Sequence, residues 1–174
     1  MLRLFLPALD NLEAVNSMDG LICQLDAGYR GMIQLYQELS CLAESVGKHL
    51  TAGEWKEVDA LLARKQRIMQ VIDARETEMG RLRGEIQEKL GLERFSLASL
   101  PRGPAAAQLN STIDELRDVI DELQKREQAN EEQLRRLVAA VQAQLRDFDR
   151  SKKAAKAYSG PSDLGESRFI DQKK

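Results

Sequence analysis

Residues Leu109 to Phe148 read LNSTIDELRDVIDELQKREQANEEQLRRLVAAVQAQLRDF. Apolar side chains return in three- and four-residue steps at Leu109, Ile113, Leu116, Ile120, Leu123, Leu134, Leu137, Val141, Leu145 and Phe148. Such spacing lays one apolar stripe along one side of a long α-helix, the pattern of bundles and coiled coils. Glu127 and Asn130 stand in the same register. Polar groups at core positions fix register or oligomer state at some cost in stability, and a role in binding is equally open for these two.

Upstream, Pro101, Gly103 and Pro104 close a segment, Leu92 to Pro104, that also holds Ser96 and Ser99 and reads as a loop with a short turn near Phe95. Pro104 suits the first position of the third helix. Before the loop, Trp55, Val58, Leu62, Met69, Ile72, Met79, Leu82, Ile86 and Leu90 recur at helical spacing, and Gly91 suits a left-handed C-terminal cap. A first helix carries Leu25, Tyr29, Met32, Tyr36, Leu39, Ala43, Val46 and Leu50, widened by Leu21, Leu35 and Leu42. Between these two helices, Thr51 with Glu54 three residues on reads as a capping box, and Leu50 is placed to staple onto Trp55.

The fold class is therefore all-α, an antiparallel bundle of three long helices followed by a flexible C-terminal tail. Residues 1–17 form an N-terminal extension or short helix, 18–150 the bundle and 151–174 the tail. From Ser151 the heptads stop, and Ser159, Gly160, Pro161, Ser162 and Gly165 oppose a continuous helix. The tail nonetheless holds Tyr158, Leu164, Phe169 and Ile170, apolar groups that a merely solvating tail does not need. Helices of about 28, 37 and 47 residues would span roughly 42, 55 and 70 Å and cannot all cover one another. The end of the third helix, with Val141, Leu145 and Phe148, is expected to keep an open apolar seam suited to a partner helix or to self-association as a homo-oligomer.

Composition removes several functions. The 26 basic and 28 acidic residues of the 174 nearly cancel, so no net field draws the chain to nucleic acid or an anionic membrane. The apolar start, Met1 to Leu9, is interrupted by Asp10 and Glu13, too soon for a membrane span or signal segment. Cys23 and Cys41, in one helix about 27 Å apart and off the apolar face, cannot pair and fit a reducing cytoplasm. The only histidine, His49, reads as a last-turn residue at a helix C-terminus. No Glu-x-x-His pair, Cys-x-x-Cys or Gly-x-x-x-x-Gly-Lys loop is present, so neither a metal, a cofactor nor nucleotide hydrolysis is expected. The carboxylates between Ile113 and Glu132 alternate with Arg117, Lys125 and Arg126 as a solvated face does. A binding protein remains, with a generic coiled-coil scaffold as the main alternative and a helical-bundle enzyme a distant one.

Several segments together resemble the FlgN flagellar chaperones, across roughly Met18 to Lys174. They are the Leu/Tyr-rich first helix, Leu61-Leu62-Ala63-Arg64-Lys65-Gln66 with Ile68 and Ile72, and the Ser/Leu loop from Phe95 to Leu100. Asn130 before Leu134, the motif Tyr158-Ser159-Gly160-Pro161 and the ending Arg168-Phe169-Ile170-Asp171-Gln172-Lys173-Lys174 continue the pattern. The resemblance implies a cytoplasmic chaperone, not an enzyme, that uses its C-terminal helix and tail to keep hook-filament junction proteins of the FlgK and FlgL type soluble before export. Its second partner would be the flagellar export apparatus, and no cofactor is implied. The chain departs from the family pattern at its start, where Met1 to Ser17 precede the point at which such chaperones usually begin. Either Met18 is the true start, or the segment adds an amphipathic turn with Leu4, Leu9, Leu12 and Val15 inward.

Overall fold

The computed structural model describes the backbone from Leu6 to Tyr158 and the side chains from Met18 to Lys156. Among the described residues there are three helices and no strand: α1 (Leu6–Ala52), α2 (Trp55–Lys89) and α3 (Pro104–Tyr158), with a single 3-10 turn at Leu97–Ser99 before α3. They fall into two compact units, Met1–Gln133 and Leu134–Lys174, with α3 contributing to both.

Two helices are longer than their heptads. At 47 residues α1 begins within the expected N-terminal extension. At 55 residues α3 takes in Ser151 to Tyr158, where a tail was expected. Helicity outlasts the apolar repeat: the run Lys152-Lys153-Ala154-Ala155-Lys156-Ala157 consists of strong helix formers, and no breaker comes before Ser159.

In the first unit α1 and α2 are antiparallel, because their contacts run in opposite directions. Tyr29 accepts a hydrogen bond from Arg83 at 2.9 Å, and further along α1 Glu38 pairs with Arg64 of the earlier part of α2. The helices approach closely where α1 has no side chain, at Gly28, whose added Cβ would overlap the buried thioether of Met79. Contacts between α1 and α3 run the same way along both chains. Thr112 donates to Asp26 at 2.5 Å, Asn130 to the Ala43 carbonyl at 2.7 Å, and Gln133 to Thr51 at 2.7 Å. The unit is thus an up-down-up bundle. Its core joins Ile22, Leu25, Met32 and Leu39 to Met79, Leu82 and Ile86 and to Leu109 and Leu116. Each fully buried side chain of this size contributes about 1.5–3 kcal/mol.

The stripe of α1 lies inward as its spacing requires, from Leu25 to Leu50, with Tyr36 only partly covered. On α2 the buried edge differs from the expected one. Val58, Ile72, Met79, Leu82 and Ile86 are buried, but Trp55, Leu62 and Met69 are about half exposed, and Ile68 takes the place of Met69. Lys65 enters the same inward line, its side chain only 13% exposed.

The turn between α1 and α2 is also not a capping box. The helix runs through Thr51, whose hydroxyl donates back to the Gly47 carbonyl at 2.9 Å. Termination comes at Gly53, with φ of 73°, where Gly53 N–H donates to Leu50 and Glu54 N–H to His49. This is a Schellman closure, and glycine adopts its left-handed backbone without a Cβ penalty. Glu54 then precedes α2 without a side-chain cap, and its carboxylate lies 2.6 Å from His49 Nδ1. The expected end of α2 holds: Gly91, with φ of 64°, donates to Glu88 while Leu92 donates to Gln87.

Candidate partner-binding surfaces

The second unit presents the clearest apolar surface. Along α3, Leu134, Val138, Val141, Leu145 and Phe148 are 42%, 48%, 52%, 60% and 66% exposed. Steps of four and three residues keep all five on one side of the helix. The structure therefore places the three helix residues singled out from the sequence, Val141, Leu145 and Phe148, on one face and in contact with water. Tyr158 is the last residue of α3, but its side chain, together with Leu164, Phe169 and Ile170, lies outside the described residues.

The first unit contains a second feature that the heptads did not reveal. A cleft of about 380 Å³ opens between the helices, floored by Tyr36 and Leu39 of α1 and walled by Met69 and Ile72 of α2 and Leu123 of α3. Lys65 of α2 and Glu127 of α3 form an ion pair across it. Asp73 lies at its edge, and a continuing depression along α3 reaches Ile120, Gln128 and Glu131. Burial pushes the Tyr36 phenol above its ordinary value, and the carboxylates of Glu76 and Asp73 push it the same way. The sequence did carry a signal for Lys65: it falls in the phase set by Val58, Ile68 and Ile72, where a lysine needs an acidic partner from another helix.

The two polar interruptions of the α3 seam are both used inside the bundle. Glu127 answers Lys65, and Asn130 bonds the α1 backbone where Gly47 leaves it room: a Cβ on Gly47 would lie 2.6 Å from the Asn130 amide oxygen. Beside them Glu44 accepts from Lys48 at 2.7 Å and from Arg126 at 2.9 Å. Those two hydrogen bonds hold the Glu44 carboxyl below its usual range, Lys48 contributing most. These contacts read as register devices for α1 against α3.

Both cysteines are free and exposed on α1. Among the described residues no group of His, Cys, Asp and Glu converges on a metal-sized site, and no helix is long and apolar enough to cross a membrane.

Neither the curated proteins nor the solved structures contain a match to the chain. The family model for FlgN protein matches residues 22–164, which takes in most of α1, all of α2 and α3, and the first residues beyond Tyr158. FlgN proteins are flagellar export chaperones, a function exercised by binding flagellar proteins and in keeping with helices that present uncovered apolar faces. With the match extending over nearly all of the described helices, the chain belongs to the FlgN family.

Proposed function

We propose that the chain is a cytoplasmic chaperone of flagellar type III export whose clients are hook-associated junction subunits of the FlgK and FlgL type. It holds their amphipathic end segments so that they do not polymerise early, and delivers them to the export apparatus. The observation that carries this reading is the exposed stripe of α3, a helix face built like a core and left uncovered. Val141, Leu145 and Phe148 supply the helical part of the client site, and Tyr158, Leu164, Phe169 and Ile170 the tail part.

The test is titration calorimetry of the full chain with a purified FlgK-type subunit. Leu145 and Phe148 still expose 60% and 66% of their surface, so a client that buries the remainder gains about 1–2 kcal/mol from each. Leu145→Ala with Phe148→Ala should then weaken binding roughly 30- to 1000-fold. Tyr158→Ala, Leu164→Ala, Phe169→Ala and Ile170→Ala together should weaken it further. The helical signal in circular dichroism should stay unchanged in both. A scaffold without client activity would bind the subunit no better than its variants do, and that result would overturn the reading.

A further inference from the structure

Trp55, Leu62 and Met69 follow one another at seven-residue intervals on α2, and they are 49%, 46% and 49% exposed. Seven residues fall about 20° short of two full turns, so the three side chains stay close to one line over about 21 Å. Isolated exposed apolar residues are ordinary, but an aligned row is not. This row ends in the cleft, because Met69 is also one of its walls. The ionised groups lining the cleft are Asp73 and Glu127 against Lys65, and Lys65 is held by Glu127, which leaves the Asp73 carboxylate in excess at the rim. The rim is therefore acidic while the floor is apolar. The raised Tyr36 phenol, which answers first to burial and then to Glu76 and Asp73, reports the same negative surroundings.

We propose that the Trp55–Leu62–Met69 row and the adjoining cleft dock a cationic amphipathic α-helix of a partner protein. Its apolar side chains, at three- and four-residue intervals, lie along the row and enter beside Met69, and its lysines or arginines stand over Asp73 and the acidic edge. The row's length matches a helix of about four turns, and apolar anchors at helical spacing are the mode by which a groove receives such a helix. A second copy of the chain is a poor occupant, since a two-fold contact would set the acidic rim against itself. The surface lies wholly in the first unit and does not depend on the client site proposed for α3.

Trp55 is the only tryptophan of the chain and stands in the row, so its emission reports docking directly. The probe is a tryptophan-free synthetic helix of about four turns, with leucines on one face and lysines on the other, titrated into the full chain. A counterpart with glutamates in place of the lysines is titrated in parallel. The lysine peptide should move Trp55 emission to shorter wavelength in a saturable manner and lose affinity with added salt, and the glutamate peptide should bind at least about tenfold more weakly. Met69→Lys and Leu62→Lys should each weaken the lysine peptide about tenfold or more. Val71→Lys is the matched control, because Val71 is 45% exposed but lies two residues from Met69, on the far side of α2, and should change affinity less than about twofold. Asp73→Asn should weaken binding and flatten its salt dependence without disturbing any packed side chain. The proposal is overturned if both peptides bind alike or if Val71→Lys weakens binding as much as Met69→Lys. It is also overturned if the response survives both lysine substitutions in the row, or if Trp55 emission already shifts with protein concentration alone, which would assign the row to self-association. Client binding by calorimetry is a separate readout, so failure here and failure of the α3 client site are distinguishable.

Discussion

Replacing Lys65 by Met should leave the bundle as stable as the parent or up to about 1 kcal/mol more stable, whereas Glu127→Gln should cost about 1–2 kcal/mol. The asymmetry comes from unequal burial, with the Lys65 side chain 13% exposed and that of Glu127 40% exposed. Removing the lysine releases Glu127 to a position where water still reaches it, and the thioether that replaces the ammonium meets Met69, Ile72 and Leu39 in the cleft. Removing the carboxylate's charge leaves an ammonium among those same apolar groups. Breaking a fully buried pair costs about 3–5 kcal/mol. The smaller figure here reflects the partial exposure of Glu127 and the ability of a lysine to extend its head toward water along its own stem. The assay is urea unfolding followed by circular dichroism, comparing midpoints at unchanged slope. In a Lys65→Met background the cost of Glu127→Gln should nearly vanish, since the charge it leaves unpaired is already gone. If Lys65→Met proves more damaging than Glu127→Gln, or if the two costs simply add, the pair does not act as a buried charge with one solvated partner.

Gly28→Ala should change sign with its neighbour. In the parent the new methyl displaces the Met79 thioether, and overpacking of about 1–3 kcal/mol outweighs the helix propensity gained, about 1 kcal/mol. In a Met79→Ala background the methyl enters vacated space, so the same substitution should stabilise, as urea midpoints of the four proteins would show; equal effects in both backgrounds would refute the close approach of α1 and α2. Glu44 gives the bundle a small acid-sensitive component. Its carboxyl titrates lower in the folded chain than its ordinary value of 4.5, so its contribution is present above that value and is lost as pH falls through the folded one. Glu44→Gln should therefore flatten the acid limb of a stability-against-pH curve, and should do so less at high salt because the group is exposed.

The helices themselves were legible in the chain because their signals are local. Backbone hydrogen bonding within each helix makes the three- and four-residue apolar returns, Gly91 and Pro104 meaningful without reference to any other segment. The exposure of both cysteines and the inward face of α1 followed from the same periodicity. The turn at residues 51–54 departs from a capping box because two local signals compete, and the left-handed backbone available at Gly53 prevails over the cap at Thr51. α3 runs past its apolar repeat because helicity needs only good helix formers, which Lys152 to Ala157 supply, whereas the repeat marks an apolar face. On α3 the apolar returns place Val141, Leu145 and Phe148 on one face, unequal helix lengths predict an open seam there, and the structure shows all three exposed.

Among the described residues, local periodicity is enough to specify three helices, each with one apolar side. Which edge of each side is covered depends on how the helices pack together. Apolar residues on α2 occupy a band wider than one contact line, and the direction from which α1 and α3 approach chose Ile68 over Met69 and left the row from Trp55 to Met69 facing water. The pairing of Lys65 with Glu127 across residues far apart in the chain, and the support of Asn130 by the backbone beside Gly47, depend on the same choice. Periodicity defines a direction relative to one helix axis. The position of the neighbouring axis is a property of the packed whole, and it settles whether an apolar side chain becomes core or remains a surface for a partner.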